Sequence, residues 1–182
     1  MTVDVVARTR RIAELRALPA QRIVLPDGAM TGHTADDQAE TVLINLLRGA
    51  GSAGLSAMSP GTRRPILALR RHETHRLCAE LGIECVTDTT NDSNVHQRNR
   101  VRNELLPLLT DISRRDPVPI LTRTSDVMRD DNELLEELAR GIDPTDAVAL
   151  STAPLPLARR AIRAWLSHPY PPDQATVERV LE

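Results

Sequence analysis

Residues Thr31–Leu47 read TGHTADDQAETVLINLL, and this stretch decides how the chain is organised. Thr34 is a residue type favoured at a helix N-cap, where its side chain serves the free amides of the first turn. Asp37 follows three positions later, where a carboxylate reaches back to the cap. Ala35, Ala39, Val42, Leu43, Leu46 and Leu47 then recur at i, i+4, i+7, i+8, i+11 and i+12. That spacing predicts one apolar stripe on a helix of about four turns. The helix is expected to end at Arg48-Gly49. Gly49, Gly51 and Gly54 make the following loop permissive of unusual backbone angles.

Working outward, Val3–Ala7 is a β-branched run that reads as a strand, and Arg8–Leu18 as a helix stopped by Pro19. Pro26-Asp27-Gly28 signals a turn. Downstream, Pro65–Leu69 (PILAL) predicts a strand or an extended segment. His72–Leu81 predicts a helix with Leu77, Cys78 and Leu81 on one face, closed by Gly82. Ile83–Val86 predicts a second strand and Asp88–Asn94 a polar loop. Gln97–Leu109 is helical in pattern, with Val101, Leu105 and Leu108 spaced for burial. From Thr110 the character changes. Leu121–Ala139 predicts a long helix with Val127, Leu134, Leu135 and Leu138 inside and a run of acids outside, and amphipathic helices follow over Leu157–Leu166 and Asp173–Leu181. The expectation is an α/β domain over residues 1–109 and a helical domain over 110–182.

Composition narrows the function classes. The chain has 182 residues, 41% apolar and 26% charged, which fits a folded protein rather than a disordered one. A net charge of −2 does not announce a nucleic-acid partner, so any such case rests on local patches. All 23 basic residues are arginine, which excludes a lysine nucleophile or Schiff base. With no Phe, one Trp and one Tyr, base stacking on an aromatic platform, as in single-strand binders, is not expected. Cys78 and Cys85 match no zinc spacing, and reduced thiols in the cytoplasm are the plain expectation. No apolar run approaches the ~20 residues that span a bilayer.

Four groups of residues carry candidate chemistry. His33, Asp36 and Asp37 sit at the mouth of the predicted helix, where free N–H groups and a partial positive charge suit phosphates. Two adjacent acids there suit a magnesium ion, and His33 suits proton transfer. Acids are equally ordinary in a first helical turn. Arg48, Gly49 and Gly51 pair a guanidinium with a permissive loop that suits a nucleotide, though a plain helix C-cap explains them as well. Arg98, Asn99 and Arg102 belong to the run RNRVR, a local positive patch, with Arg98 and Arg102 on one face at i and i+4. Asp88–Asn91 reads as a turn or as a substrate-shaping loop.

The order of these motifs matches one family. TGHTADDQAETVLINLLRGAGSAGLSAM resembles the central segment of the tRNA(Ile)-lysidine synthetases, PP-loop ATP pyrophosphatases. RRPILALRRHETHRLCAELGIECVTDTTNDSNVHQRNRVRNELLPLL resembles the segment that follows it. The resemblance implies a Rossmann-like PP-loop domain, ATP and Mg2+ as cofactors, and free L-lysine and tRNA(Ile) with a CAU anticodon as partners. It implies adenylation of the first anticodon cytidine and displacement of AMP by lysine. Carried over, His33, Asp36 and Asp37 lie at the reaction centre, the two acids as metal ligands. Gly32, Arg48, Gly49, Gly51 and Arg98 border the nucleotide, and Asn91, Asn99 and Arg102 meet the tRNA. The family also opens with an SGGxDS-type loop that cradles the ATP pyrophosphate, and no such loop stands in this sequence. The expectation is therefore a partial PP-loop domain that binds ATP weakly and exposes a sheet edge to a second copy of the chain. The competing reading is a non-catalytic tRNA- or partner-binding remnant.

Overall fold

A computed structural model describes residues 29–83 and 96–182 of the chain. Helix α1 spans Ala35–Leu47. Its cap forms as the sequence predicts: the Thr34 backbone N–H and hydroxyl both donate to Asp37 Oδ2, at 2.9 and 2.8 Å. Ala35, Ala39, Val42, Leu43 and Ile44 are buried, whereas Leu46 and Leu47 in the last turn are exposed. Gly49 closes the helix with φ +74°, a backbone conformation that favours glycine. The short helix α2, Ser52–Leu55, is latched back onto α1 by the Asn45 amide, which donates to the Gly54 carbonyl at 2.7 Å.

Pro65–Leu69 is not a strand. It folds as turns, with Leu67 N–H donating to Arg64 O and Leu69 N–H to Ile66 O. The one β-bridge among the described residues is the isolated pair Gly61 and Arg64. Five apolar residues fit a strand only where a neighbouring strand pairs with them, and here the run has another task. The Leu69 carbonyl accepts from Ala35 N–H at 2.9 Å, satisfying a free amide at the start of α1. The sheet of the α/β expectation is thus not seen among the described residues. The strand expected at Val3–Ala7, and positions 84–86 of the second, lie outside them, as do the loop 88–94 and the helix 8–18.

Helix α3, Arg71–Glu80, has no buried residue, and Leu77 and Leu81 are exposed. Helix α4, Gln97–Arg100, continues through a π-helical segment, Val101–Leu105, into α5, Leu106–Ser113. The wider turn lies just before Pro107, which offers no N–H to the preceding turn and whose ring needs room there. Asp116 caps α6, Pro117–Ala139, by accepting from Val118 N–H at 3.0 Å. Helices α7 (Ala147–Thr152), α8 (Leu155–Trp165) and α9 (Gln174–Leu181) complete the described chain.

Helix α6 is the spine. Its buried seam is Val118, Ser125, Asn132 and Ala139, spaced by seven residues. Of the four apolar residues expected inside, Val127, Leu134 and Leu138 are exposed and Leu135 is half-buried. The seam is small or polar because three helices approach α6 closely and bond to it. Ser125 Oγ accepts from Gln38 of α1 at 3.0 Å. Asn132 Oδ1 accepts from Ser52 of α2 at 3.0 Å and from Arg160 of α8 at 2.7 Å. Apolar packing joins Ala35 and Ala39 to Val118, and Leu43 and Ile44 to Val101, with Leu106 and Leu121 against both groups. Two compact units divide the chain, residues 1–30 and 31–182, and every helix named above belongs to the second.

Candidate active site

The acids at the mouth of α1 meet arginines from two other elements. Asp36 Oδ2 accepts from Arg70 Nε at 3.2 Å and from the Arg71 backbone N–H at 2.7 Å, and Asp36 Oδ1 accepts from Arg70 Nη2 at 3.1 Å. Arg70 also bonds Asp116 at the start of α6, so one guanidinium ties α1, α3 and α6 together. Asp37, with one oxygen already on the Thr34 cap, takes Arg71 Nη2 on the other at 3.2 Å.

One helical turn deeper stands Glu40, which is 0% exposed. Arg98 Nε donates to its Oε2 at 2.8 Å, Arg102 Nε to its Oε1 at 2.7 Å, and Arg102 Nη2 to its Oε2 at 3.1 Å. Arg71 Nη2 adds a fourth bond at 3.2 Å. A buried carboxylate is tolerable only when its lone pairs are satisfied and its charge is met, and three guanidiniums do both. Arg98 further donates to the Asp37 carbonyl at 3.2 Å. Glu40 was not singled out by the sequence reading. Its signal was an acid one turn beyond Asp36 and Asp37 beside the apolar stripe, matched by two arginines at i and i+4 in RNRVR.

Electrostatics follow the geometry. For Asp36, burial pushes the carboxyl pKa up, but the Arg70 hydrogen bonds, the Arg71 amide and the charges of both arginines outweigh it, and the net shift is down. Asp37 is likewise lowered: burial opposes, while the Thr34 amide and hydroxyl and the Arg71 and Arg98 charges prevail. His33 is lowered chiefly by burial, with Arg98 and Arg64 adding and Asp37 opposing. Its Nδ1 lies 2.9 Å from Thr31 Oγ1.

The structure thus brings His33, Asp36, Asp37, Arg98 and Arg102 into one cluster, with Gly32 beside it. A 270 Å³ cleft opens on the network, walled by Arg70, Arg71 and Arg102 and by Pro107 and Pro117. Arg48, Gly49 and Gly51 stand apart, at the far end of α1, roughly 17 Å along the helix axis from Asp37. Arg48 is exposed there and donates to Gln97 Oε1 at 3.4 Å. Asn99 is buried in α4, and Asn91 lies outside the described residues. Asp36 and Asp37 each already accept three hydrogen bonds, all from N–H and O–H donors, so magnesium does not fit them as they stand. Among the described residues no three acidic, histidine or cysteine side chains group to hold a metal. No described helix is long and apolar enough to cross a membrane.

The family model of the PP-loop domain matches residues 2–109, which include α1, α3 and the arginines that close on Glu40. The chain belongs to the PP-loop family. It is also similar to curated proteins named tRNA(Ile)-lysidine synthase. That of Nocardia farcinica is 43% identical over 166 residues, 86% of this chain and 52% of the relative. That of Mycolicibacterium paratuberculosis is 42% identical over 167 residues, 86% of this chain and 51% of the relative. A more distant one, from Symbiobacterium thermophilum, is 36% identical over 97% of this chain and 42% of the relative. The PP-loop chain described here therefore spans about half the length of the curated relatives it matches.

Proposed function

We propose that this PP-loop chain carries the lysine-transferring centre of a tRNA(Ile)-lysidine synthase. The observation that carries the reading is the network in which Asp36, Asp37 and Glu40 hold Arg70, Arg71, Arg98 and Arg102 around the mouth of α1, next to a neutral histidine. The names of the relatives support the substrate class.

In the proposed reaction the O2 of the first anticodon cytidine attacks the α-phosphorus of ATP, and pyrophosphate leaves. The lysine amine then attacks C2, the C–O bond to AMP breaks, and the nitrogen loses a proton. Arg98 supplies fixed positive charge toward the phosphates, its Nε held on Glu40 Oε2 and its Nη2 on the Asp37 carbonyl. Gly32 borders the nucleotide at the mouth of α1, and Arg102, which lines the cleft there, faces the tRNA. Asp36 and Asp37 offer negative charge to the lysine ammonium. His33 takes the proton: burial lowers its pKa, so it is neutral near pH 7, and Thr31 orients the ring through Nδ1.

The test incubates the 182-residue chain with ATP, lysine and a tRNA(Ile) transcript bearing a CAU anticodon. The expected result is AMP release that needs both tRNA and lysine, with the anticodon cytidine gaining one lysine less water by mass spectrometry. His33→Gln should slow AMP displacement more than pyrophosphate release. AMP release independent of tRNA, or no modified cytidine, overturns the reading.

A further inference from the structure

The chain holds two large aromatic rings, Trp165 and Tyr170, and both are exposed, by 53% and 70%. Rings of that size normally anchor a core or an interface. Here they stand within six residues of each other, at the end of α8 and in the turn after it. Trp165 lines a 490 Å³ groove between α8 and the end of α6. That volume lies in the range of small-ligand sites.

The groove is also rich in cations. Arg140, Arg160 and Arg163 line it with a single acid, Glu136. Every arginine of the α1 network is committed to a carboxylate; these three are not. Arg160 donates to Asn132 Oδ1, and Arg163 to the Pro172 carbonyl and to Gln174 Oε1, all neutral acceptors. Arg140 has no side-chain partner among the described residues. The C-terminal ends of α6 and α8 open here too, each bringing about half a negative charge. Three guanidiniums outweigh those two ends and Glu136.

We infer that this groove is an RNA subsite: one unpaired base stacks on Trp165, and its flanking phosphates are met by Arg140 and Arg163. A flat ring half in solvent, uncommitted guanidiniums beside it and a base-sized groove form the combination that binds single-stranded nucleotides. An acidic peptide would use the arginines but would leave the indole without a partner. The inference rests on the proposed tRNA reading and adds a contact far from the α1 network in sequence.

Trp165 is the chain's single tryptophan, so its emission reports this groove alone. The experiment titrates the 182-residue chain with the tRNA(Ile) transcript and follows both Trp emission and the anisotropy of end-labelled tRNA. Expected is quenching that saturates in step with anisotropy. Trp165→Leu should weaken binding roughly ten-fold. Arg140→Gln, at an exposed position, should lower the slope of log affinity against log salt by about one. Tight tRNA binding with unchanged emission and unchanged Trp165→Leu affinity overturns the subsite and leaves the tRNA reading standing. No tRNA binding at all overturns both. Equal quenching by polyglutamate at matched concentration overturns the choice of RNA.

Discussion

Glu40 concentrates the site's energetics in one side chain. It is fully buried and meets three guanidiniums that are themselves partly in solvent. Glu40→Gln keeps the shape and removes the charge, which leaves Arg71, Arg98 and Arg102 facing one another. Breaking a buried ion pair by removing one partner costs about 3 kcal/mol or more. For a chain of this size the melting temperature should fall by on the order of 10 °C, read by circular dichroism. A melt within about 2 °C of the parent would show that the arginines simply turn to water. Protonation probes the same cluster more gently. Asp36 and Asp37 are lowered from an ordinary 3.8, so their contribution is whole above that pH and is lost as pH falls through the lower folded values. His33 is lowered from 6.5, and the sign is the same: below 6.5 the unfolded imidazole binds its proton first, so acidification costs stability. Melts from pH 7 to 5 should therefore show a decline that His33→Gln removes, and a second decline below pH 4 that Asp36→Asn reduces. A melting temperature that rises on acidification would contradict both signs.

Among the elements, α1 was legible because cap, acid and stripe all pointed to one answer over four turns. Its end was legible as well: Gly49 adopts φ +74°, and a Cβ built there meets nothing within 4 Å. Gly49→Ala should then cost about 1–2 kcal/mol from the backbone alone. Gly32→Ala, with equally open space and no positive φ, should leave the urea midpoint unmoved, and equal losses at the two positions would refute the account. Helix α6 was misread for a physical reason. Hydrophobicity places Val127, Leu134 and Leu138 inside, but the buried seam is fixed by what α1, α2 and α8 bring to it, including the hydrogen bonds of Gln38, Ser52 and Arg160. A polar core residue is invisible to periodicity because its partners are distant in sequence. The strand reading of Pro65–Leu69 failed likewise: its role is to offer the Leu69 carbonyl to α1, a contact 34 positions away. At the site, the acids and the arginine patch were both legible, but as separate anion-binding and metal-binding groups. Their mutual pairing through Glu40 was not, since neither motif carries the position of the other.

Across the molecule, stability is unevenly founded. Helices α1 and α6 share apolar cores, whereas α3 buries no residue at all. Among the described residues, what joins α3 to the rest is chiefly charge: Arg70 and Arg71 at its start, bonded to Asp36, Asp37, Glu40 and Asp116. Apolar packing hardly responds to moderate salt, but ion pairs with partly exposed partners are screened over a Debye length near 8 Å at physiological ionic strength. Local opening should therefore be cheap at α3 and costly at α1 and α6. Amide exchange over Arg71–Glu80 should be faster than over Ala35–Leu47, and raising salt from about 0.1 to 1 M should widen the gap by accelerating α3 alone. Arg70→Ala should produce the same acceleration at low salt, because it releases α1 and α6 from α3 together. Should α3 exchange as slowly as α1 at 1 M salt, the helix is held by contacts other than these charges. If α3 opens as expected, the cleft beside Arg70 and Arg71 opens with it, so salt and substrate would act on one element in opposite directions.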